Sequence, residues 1–191
     1  ERYGMTEAGM ITSSPYEAER RAGTVGFPLP DVEVRVADNE GRMLGTNEIG
    51  VLEAKGPNIF KGYWRMPEKT AEEFRPDGFF ITGDIAKIDE RGYVHIVGRA
   101  KDLIISGGYN VYPKEIELVI DAQPGVVESA VIGLPHPDFG EAVAAAVVRT
   151  APDATDEATL LTGIKGELAG FKLPKKLFFV NELPRNTMGK V

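Results

Sequence analysis

The chain has 191 residues, 42% of them hydrophobic and 27% charged, with 29 acids against 22 lysines and arginines for a net charge of −7. That length suffices for one large or two small domains with real cores, and the interspersed excess of acids argues against nucleic acid as a bulk electrostatic partner. With no cysteine and only two histidines, His95 and His136, disulfides, thiolate metal sites and cysteine nucleophiles are excluded and a zinc site is not expected.

No apolar run approaches the roughly 20 residues a membrane helix needs, and no secretory signal pattern is present. A cytoplasmic protein with no membrane partner is expected. The chain opens at Glu1-Arg2-Tyr3 without an initiator methionine and closes at Gly189-Lys190-Val191. It reads as part of a longer chain.

In chain order, residues 1–26 are polar, rich in Gly, Ser, Thr and Glu, and read as loop. Within them Tyr3-Gly4-Met5-Thr6-Glu7 sets an aromatic, a glycine, a hydroxyl and a carboxylate side by side; alone, Thr6 and Glu7 read as turn or cap residues. From Gly23 to Gly56 the pattern is β. Val32, Val34 and Val36 alternate with Glu33 and Arg35 as in a half-buried strand, Asn39-Glu40-Gly41 marks a turn, and Ile49 to Ala54 supplies a second strand. Short strands between turns predict a small barrel or sandwich.

Met66 to Phe74 reads as a short helix with Pro67 in its first turn. Phe79 to Thr82 and Ile85 to Asp89 read as strands broken at Gly83-Asp84, and after the turn Asp89-Glu90-Arg91-Gly92 the chain returns as a strand over Tyr93 to Val97. His95 is expected to be a strand residue of this hairpin and not a base. Next comes Gly98-Arg99-Ala100-Lys101-Asp102, a short strand over Leu103 to Ser106, and the pair Gly107-Gly108. Glycine pairs admit backbone conformations and close approaches that a Cβ forbids.

Pro113 to Ala122 is an amphipathic helix, with Ile116, Val119 and Ile120 on one face. Val126 to Leu134 and Ala142 to Val148 are apolar runs expected to pair, and His136 sits in the restricted loop between them. Asp156 to Leu168 is a second helix with Asp156 as N-cap, and Lys176 to Val180 is a further strand. This half predicts a sheet with helices on one side. The tail Leu183 to Lys190, bracketed by proline and glycine, is an exposed loop in which Lys190 alone would read as a solvated lysine.

The order and spacing of these motifs are more specific than any one of them. Tyr-Gly-Met-Thr-Glu at 3–7, Thr-Gly-Asp at 82–84, Gly-Arg-x-Lys-Asp at 98–102, Ser-Gly-Gly at 106–108, Pro-x-Glu-Ile-Glu at 113–117 and Pro-Arg-Asn-x-x-Gly-Lys at 184–190 form one series. The series resembles the C-terminal signature of the adenylate-forming superfamily: acyl-CoA synthetases, peptide-synthetase adenylation domains and luciferase-like enzymes. Within it, Pro57 to Thr70 and Leu183 to Val191 are most similar to malonyl-CoA synthetases.

The resemblance implies an α+β protein. Residues 1–98 would be the β-rich end of a large N-terminal domain, and residues 99–191 a small mobile C-terminal domain with its hinge at Lys101. It implies ATP, Mg²⁺ and coenzyme A as cofactors and a small carboxylic acid, malonate or methylmalonate, as partner in a reaction through acyl-AMP to acyl-CoA. A ligase for another short or medium-chain acid, or a carrier-loading adenylation domain, is the alternative, and the 191 residues alone are expected to be inactive.

Carried over residue by residue, Tyr3 would stack on adenine, Thr6 would bond the α-phosphate and Glu7 would hold Mg²⁺. Asp84 would accept both ribose hydroxyls, with a turn aspartate as its plainer reading, and Arg99 would donate to the same ribose. Lys190 would neutralise charge at the α-phosphate, and Gly107 would line the pantetheine channel. Met10, Ser13 and Ser14 would approach the acyl pocket, and Lys172, Lys175 or Lys176 the nucleotide of CoA. A competing reading from another class makes the 191 residues a non-catalytic module, for instance the substrate of a lysine acetyltransferase at Lys190, where acetylation would remove the charge.

Overall fold

A computed structural model describes residues 1–187, 189 and 191. It divides into two compact units, Glu1–Lys101 and Asp102–Val191. Both are α+β, and each is described by itself.

The first unit begins with strands where the sequence suggests loop. β1 (Arg2–Met5) and β2 (Gly9–Ser13) pair antiparallel, and β3 (Phe27–Pro28) pairs with β2. The strands escape a periodicity search because consecutive residues of β2, Ile11 and Thr12, are both fully buried, so apolar and polar residues never alternate. Gly4 is demanded by a register shift after Tyr3. A Cβ there would lie 2.1 Å from the carbonyl oxygen of Gly9.

A four-stranded antiparallel meander follows: β4 (Glu33–Ala37), β5 (Gly50–Lys55), β6 (Phe80–Ile88) and β7 (Val94–Arg99). The short helix α1 (Pro67–Glu72) sits between β5 and β6 and starts on proline, where the missing N–H costs nothing. Two apolar clusters join the sheets. Ala8 and Ile11 meet Val32 and Ala54 in one, and Tyr3 and Val25 pack on Val36, Leu52, Ala86 and Val94 in the other. This is a sandwich of two small sheets.

One carboxylate interrupts the apolar run of β5. Glu53 is fully buried and takes the Nε atoms of Arg35 and Arg75, each at 2.7 Å. A buried charge is tolerated only when paired in this way.

The second unit contains β8 (Ile104–Ser106), β9 (Tyr109–Val111), α2 (Pro113–Asp121), β10 (Val126–His136), β11 (Gly140–Arg149), α3 (Glu157–Ile164) and β12 (Lys176–Val180). β11 is central. It pairs antiparallel with β10 along its length, antiparallel with β8 at its Gly140 end, and parallel with β12 from Ala144 to Val148. Ile116, Ile120, Leu160 and Ile164 of the two helices are 1% exposed or less and pack on Val131, Val143, Ala145 and Val147 of the sheet. Each such side chain contributes roughly 1.5–3 kcal/mol.

Asp156 caps α3 as expected, its Oδ1 accepting the Thr159 N–H at 2.8 Å. The helix ends at Ile164, short of Leu168, where Gly166 weakens helix continuation by about 1 kcal/mol relative to alanine. Beyond β12 the described residues include no helix or strand, but they are held. Leu183 is buried, Arg185 forms an ion pair with Glu128 of β10, and Arg185 Nη1 donates to the Gly189 carbonyl at 3.1 Å. Among the described residues, no helix is long and apolar enough to cross a membrane.

Candidate functional site

The expected break at Gly83-Asp84 is a bulge inside one continuous strand. On β5 the register advances from Val51 to Glu53 while on β6 it runs from Ile85 to Ile81, so Thr82, Gly83 and Asp84 face Leu52 as surplus residues. Gly83 has a φ of 73°, a left-handed conformation that glycine adopts without penalty. Thr82 Oγ1 donates to the Leu52 carbonyl at 2.7 Å and accepts the Asp84 N–H at 3.1 Å, holding two residues that have no register partner across the β5–β6 ladder. Bulges re-aim side chains, and this one aims Asp84.

Asp84 is only 5% exposed. Its Oδ2 accepts a hydrogen bond from the Tyr3 hydroxyl, and its Oδ1 lies 2.8 Å from Arg99 Nε. Arg99 is opposite Asp84 in the β6–β7 register, which puts a half-exposed guanidinium beside the buried carboxylate. Burial first, and then the Asp84 carboxylate, push the Tyr3 phenol above its ordinary range. Tyr3, Asp84 and Arg99 thus form one cluster. Each carboxylate oxygen retains a second lone pair, so the pair of oxygens can accept the two hydroxyls of a cis-diol.

Thr6 and Glu7 occupy the turn between β1 and β2, Thr6 exposed and Glu7 half-buried. Glu7 Oε1 accepts the Tyr63 hydroxyl at 3.1 Å. Burial and then this hydrogen bond push the Tyr63 phenol up to about 12. Among the described residues no group of three or more His, Cys, Asp or Glu could hold a metal. A lone carboxylate such as Glu7 fits Mg²⁺, a cation that usually takes one or two protein carboxylates and completes its shell with phosphate oxygens and water.

Lys101 is exposed within a 3-10 turn, Ala100–Asp102, and is the last residue of the first unit. In the second unit Gly107 and Gly108 form the two-residue turn between β8 and β9, with φ of 58° and 83°. A type I′ hairpin turn needs positive φ at both positions, so the turn itself accounts for the glycine pair. Lys190, expected as the catalytic cation and, on the competing reading, as an acetylation target, lies outside the described residues.

Of the lysines expected near CoA, Lys172 binds both oxygens of Glu115 at 2.6 and 2.7 Å, Lys175 lies 5.8 Å from the Phe139 ring centroid, and Lys176 is exposed on β12. Met10 gives its carbonyl to Asn58 Nδ2 at 2.9 Å. Ser13 Oγ donates to the Ser14 carbonyl at 3.2 Å, and Ser14 Oγ accepts from the Glu1 nitrogen at 3.0 Å. His95 Nε2 is 3.1 Å from Asp89 Oδ2, and His136 stacks on Phe139.

Two contributors are not visible from residue types alone. Thr82 is flagged only by its place in Thr-Gly-Asp. Tyr63 lies 56 residues from its partner Glu7, and nothing local marks it.

Comparison with known proteins extends this picture. The sequence model of the AMP-binding enzyme family matches residues 1–64, and that of the AMP-binding enzyme C-terminal domain matches residues 115–190. A probable CoA ligase, CCL8, of Humulus lupulus is 45% identical over 202 residues, covering 100% of this chain and 33% of the relative. A long-chain-fatty-acid–CoA ligase of Escherichia coli O6:H1 is 41% identical over 192 residues, covering 100% of this chain and 34% of the relative.

The crystal structure of ATP-bound MatB from Rhodopseudomonas palustris is 65% identical and superposes with a TM-score of 0.95, covering 100% of this chain and 38% of that one. The chain thus spans about a third of the length of the curated relatives it matches. From the motif series through the bulge that aims Asp84 to these matches, the chain belongs to the AMP-binding, adenylate-forming enzyme family.

Proposed function

We propose that this chain works within an ATP-dependent acid–CoA ligase whose acid is malonate or methylmalonate. In the first half-reaction a carboxylate oxygen attacks the α-phosphorus of ATP, the bond to the bridging oxygen breaks, and pyrophosphate leaves. In the second the CoA thiolate attacks the acyl carbon and AMP departs with the electrons of the cleaved C–O bond. The chain's own residues bind and orient. Asp84 accepts the ribose hydroxyls, Arg99 donates from beside it, and Tyr3 presents its ring to the adenine. Thr6 donates to the α-phosphate and Glu7 holds Mg²⁺, whose positive charge offsets that of the phosphates. Lys190 neutralises charge that develops on adenylation.

The observation that carries the reading is the Asp84 cluster. A carboxylate 5% exposed, locked by Tyr3 and Arg99 on a bulge built for it, is a costly arrangement for mere stability and suits a diol. The pivot at Lys101 is supported by the division of the chain after that residue. Gly107 keeps its role beside the pantetheine as part of this reading. The choice of malonate rests on 65% identity to MatB and on the similarity of segments 57–70 and 183–191; the long-chain-fatty-acid–CoA ligases at 41% favour the second reading, another acid on the same machinery.

The test is AMP release by the full-length enzyme with malonate, methylmalonate, acetate and a medium-chain fatty acid, repeated with Lys190→Ala. Malonate-type acids are expected to be preferred, and Lys190→Ala to suppress adenylation while sparing thioester formation from supplied acyl-AMP. Equal rates on all four acids would remove malonate. Equal loss of both half-reactions in the variant would remove the role given to Lys190.

A further inference from the structure

One loop, residues 57–63, holds the β1–β2 turn from three directions. The Phe60 N–H donates to the Glu7 carbonyl at 2.7 Å. Asn58 Nδ2 donates to the carbonyls of Ala8 and Met10 at 2.8 and 2.9 Å. The Tyr63 hydroxyl donates to the Glu7 carboxylate at 3.1 Å. The first two contacts fix where the backbone of the turn lies. Only the third acts on the side chain that ends in the charge.

Tyr63 is itself anchored. Its N–H donates to Thr70 Oγ1 at 2.9 Å, and its ring meets that of Phe60 edge-on, with centroids 4.8 Å apart and planes at 71°. Phe60 in turn contacts Phe74 and Phe80 at 5.7 and 5.3 Å. The phenol is therefore the tip of a rigid aromatic stack, and its reach is set before any ligand arrives. A glutamate on a hairpin turn has three side-chain torsions to lose on ordering; a fixed donor on Oε1 removes much of that freedom and leaves Oε2 for a cation.

We propose that Tyr63 is a positioning residue that orients the Glu7 carboxylate for the cation bound with ATP. This rests on the reading of Glu7 given above. Partners of this kind typically tune metal affinity by 10–100-fold. A hydroxyl that donates to a ligating carboxylate orients it without competing for the cation, because the donated proton occupies only one oxygen.

The experiment titrates Mn²⁺ into the full-length enzyme bound to ATP and reads bound metal by electron paramagnetic resonance, with AMP affinity measured in parallel without metal. Tyr63→Phe is expected to weaken Mn²⁺ binding roughly tenfold and leave AMP affinity unchanged. Glu7→Gln is expected to weaken it further, and adding Tyr63→Phe to that variant should then change nothing. Normal Mn²⁺ affinity in Tyr63→Phe beside a loss in Glu7→Gln overturns the role of Tyr63 and leaves that of Glu7 standing. Normal Mn²⁺ affinity in Glu7→Gln removes both.

A parallel fall in AMP affinity, or a further loss in the double variant, shows that Tyr63 acts otherwise and overturns the proposal. Should Tyr63→Phe fail to fold, Glu7→Asp keeps the charge but withdraws it from the phenol. It is expected to lose Mn²⁺ affinity to a similar degree, and wild-type affinity there overturns the proposal as well.

Discussion

Thr82 gives the sharpest test of how the Asp84 cluster is built. Its hydroxyl is 4% exposed with the rest of the residue and makes two hydrogen bonds, to the Leu52 carbonyl at 2.7 Å and from the Asp84 N–H at 3.1 Å. Leu52 has no register partner on β6, so no strand neighbour takes over. Thr82→Val preserves the shape and removes both bonds. Leaving a buried donor or acceptor unmatched costs about 1–3 kcal/mol, and two such groups, partly relaxed, predict a loss of about 2–4 kcal/mol. Thr82→Ser retains the hydroxyl and should lose less than about 1.5 kcal/mol, the scale of one deleted methyl group. Urea unfolding of the full-length protein compares the two, and ATP affinity should fall in the valine variant because Asp84 is no longer held by its own N–H. If valine and serine variants are equally stable and bind ATP equally, the hydroxyl does not hold the bulge.

Two further predictions concern pH. The Tyr3 phenol titrates above its ordinary value near 10, so folding favours its neutral form. That stability is complete below pH 10 and is lost as pH rises beyond it, because the unfolded chain ionises first. Thermal unfolding from pH 9 to 11.5 should therefore decline more steeply in wild type than in Tyr3→Phe, and parallel profiles would contradict the assignment. At the other end, burial would raise the Asp89 carboxyl, but His95, the N–H groups of Tyr93 and Arg91, and the charge of Arg21 hold it at about 2. The stability it confers is present above the unfolded value near 4 and lost as pH falls from there towards 2. Asp89→Asn should flatten that acid limb, and an unchanged limb measured by circular dichroism would place the acid sensitivity elsewhere.

How much of this was legible in the sequence differs between the units for a physical reason. α2 follows one-faced burial, so Ile116 and Ile120 announce themselves, and β10 and β11 are legible as apolar runs, the latter with Ala142 to Ala145 buried in succession at the centre of the sheet. The Asp156 cap is a local event, readable from four residues. The strands β1 and β2 hide because Ile11 and Thr12 are buried side by side. The cluster at Asp84 hides for another reason. Tyr3 and Asp84 are 81 residues apart, and no local pattern encodes a contact at that range. The motif marked Asp84 as a candidate, but not the bulge that turns it. Glu53 is misleading in the opposite sense: composition places a glutamate on the surface, and only Arg35 and Arg75, brought from other segments, make its burial possible.

The orientation of β12 has a consequence for the tail that follows it. A parallel neighbour cannot be reached by a tight turn, and the passage through α3 from Arg149 returns the chain to start β12 alongside Ala144 and finish it alongside Val148. Val148 is also the residue that faces Glu128 across the other flank of β11. The last strand therefore releases the chain at the one end of the sheet where Glu128 waits, and Arg185 has only to cross the width of a strand to meet it. Had β12 run antiparallel over the same stretch, the tail would emerge beside Ala144, at the opposite end of that pairing. The direction of a five-residue strand thus acts as an address label for the signature loop, written in topology and independent of any side chain that the loop carries.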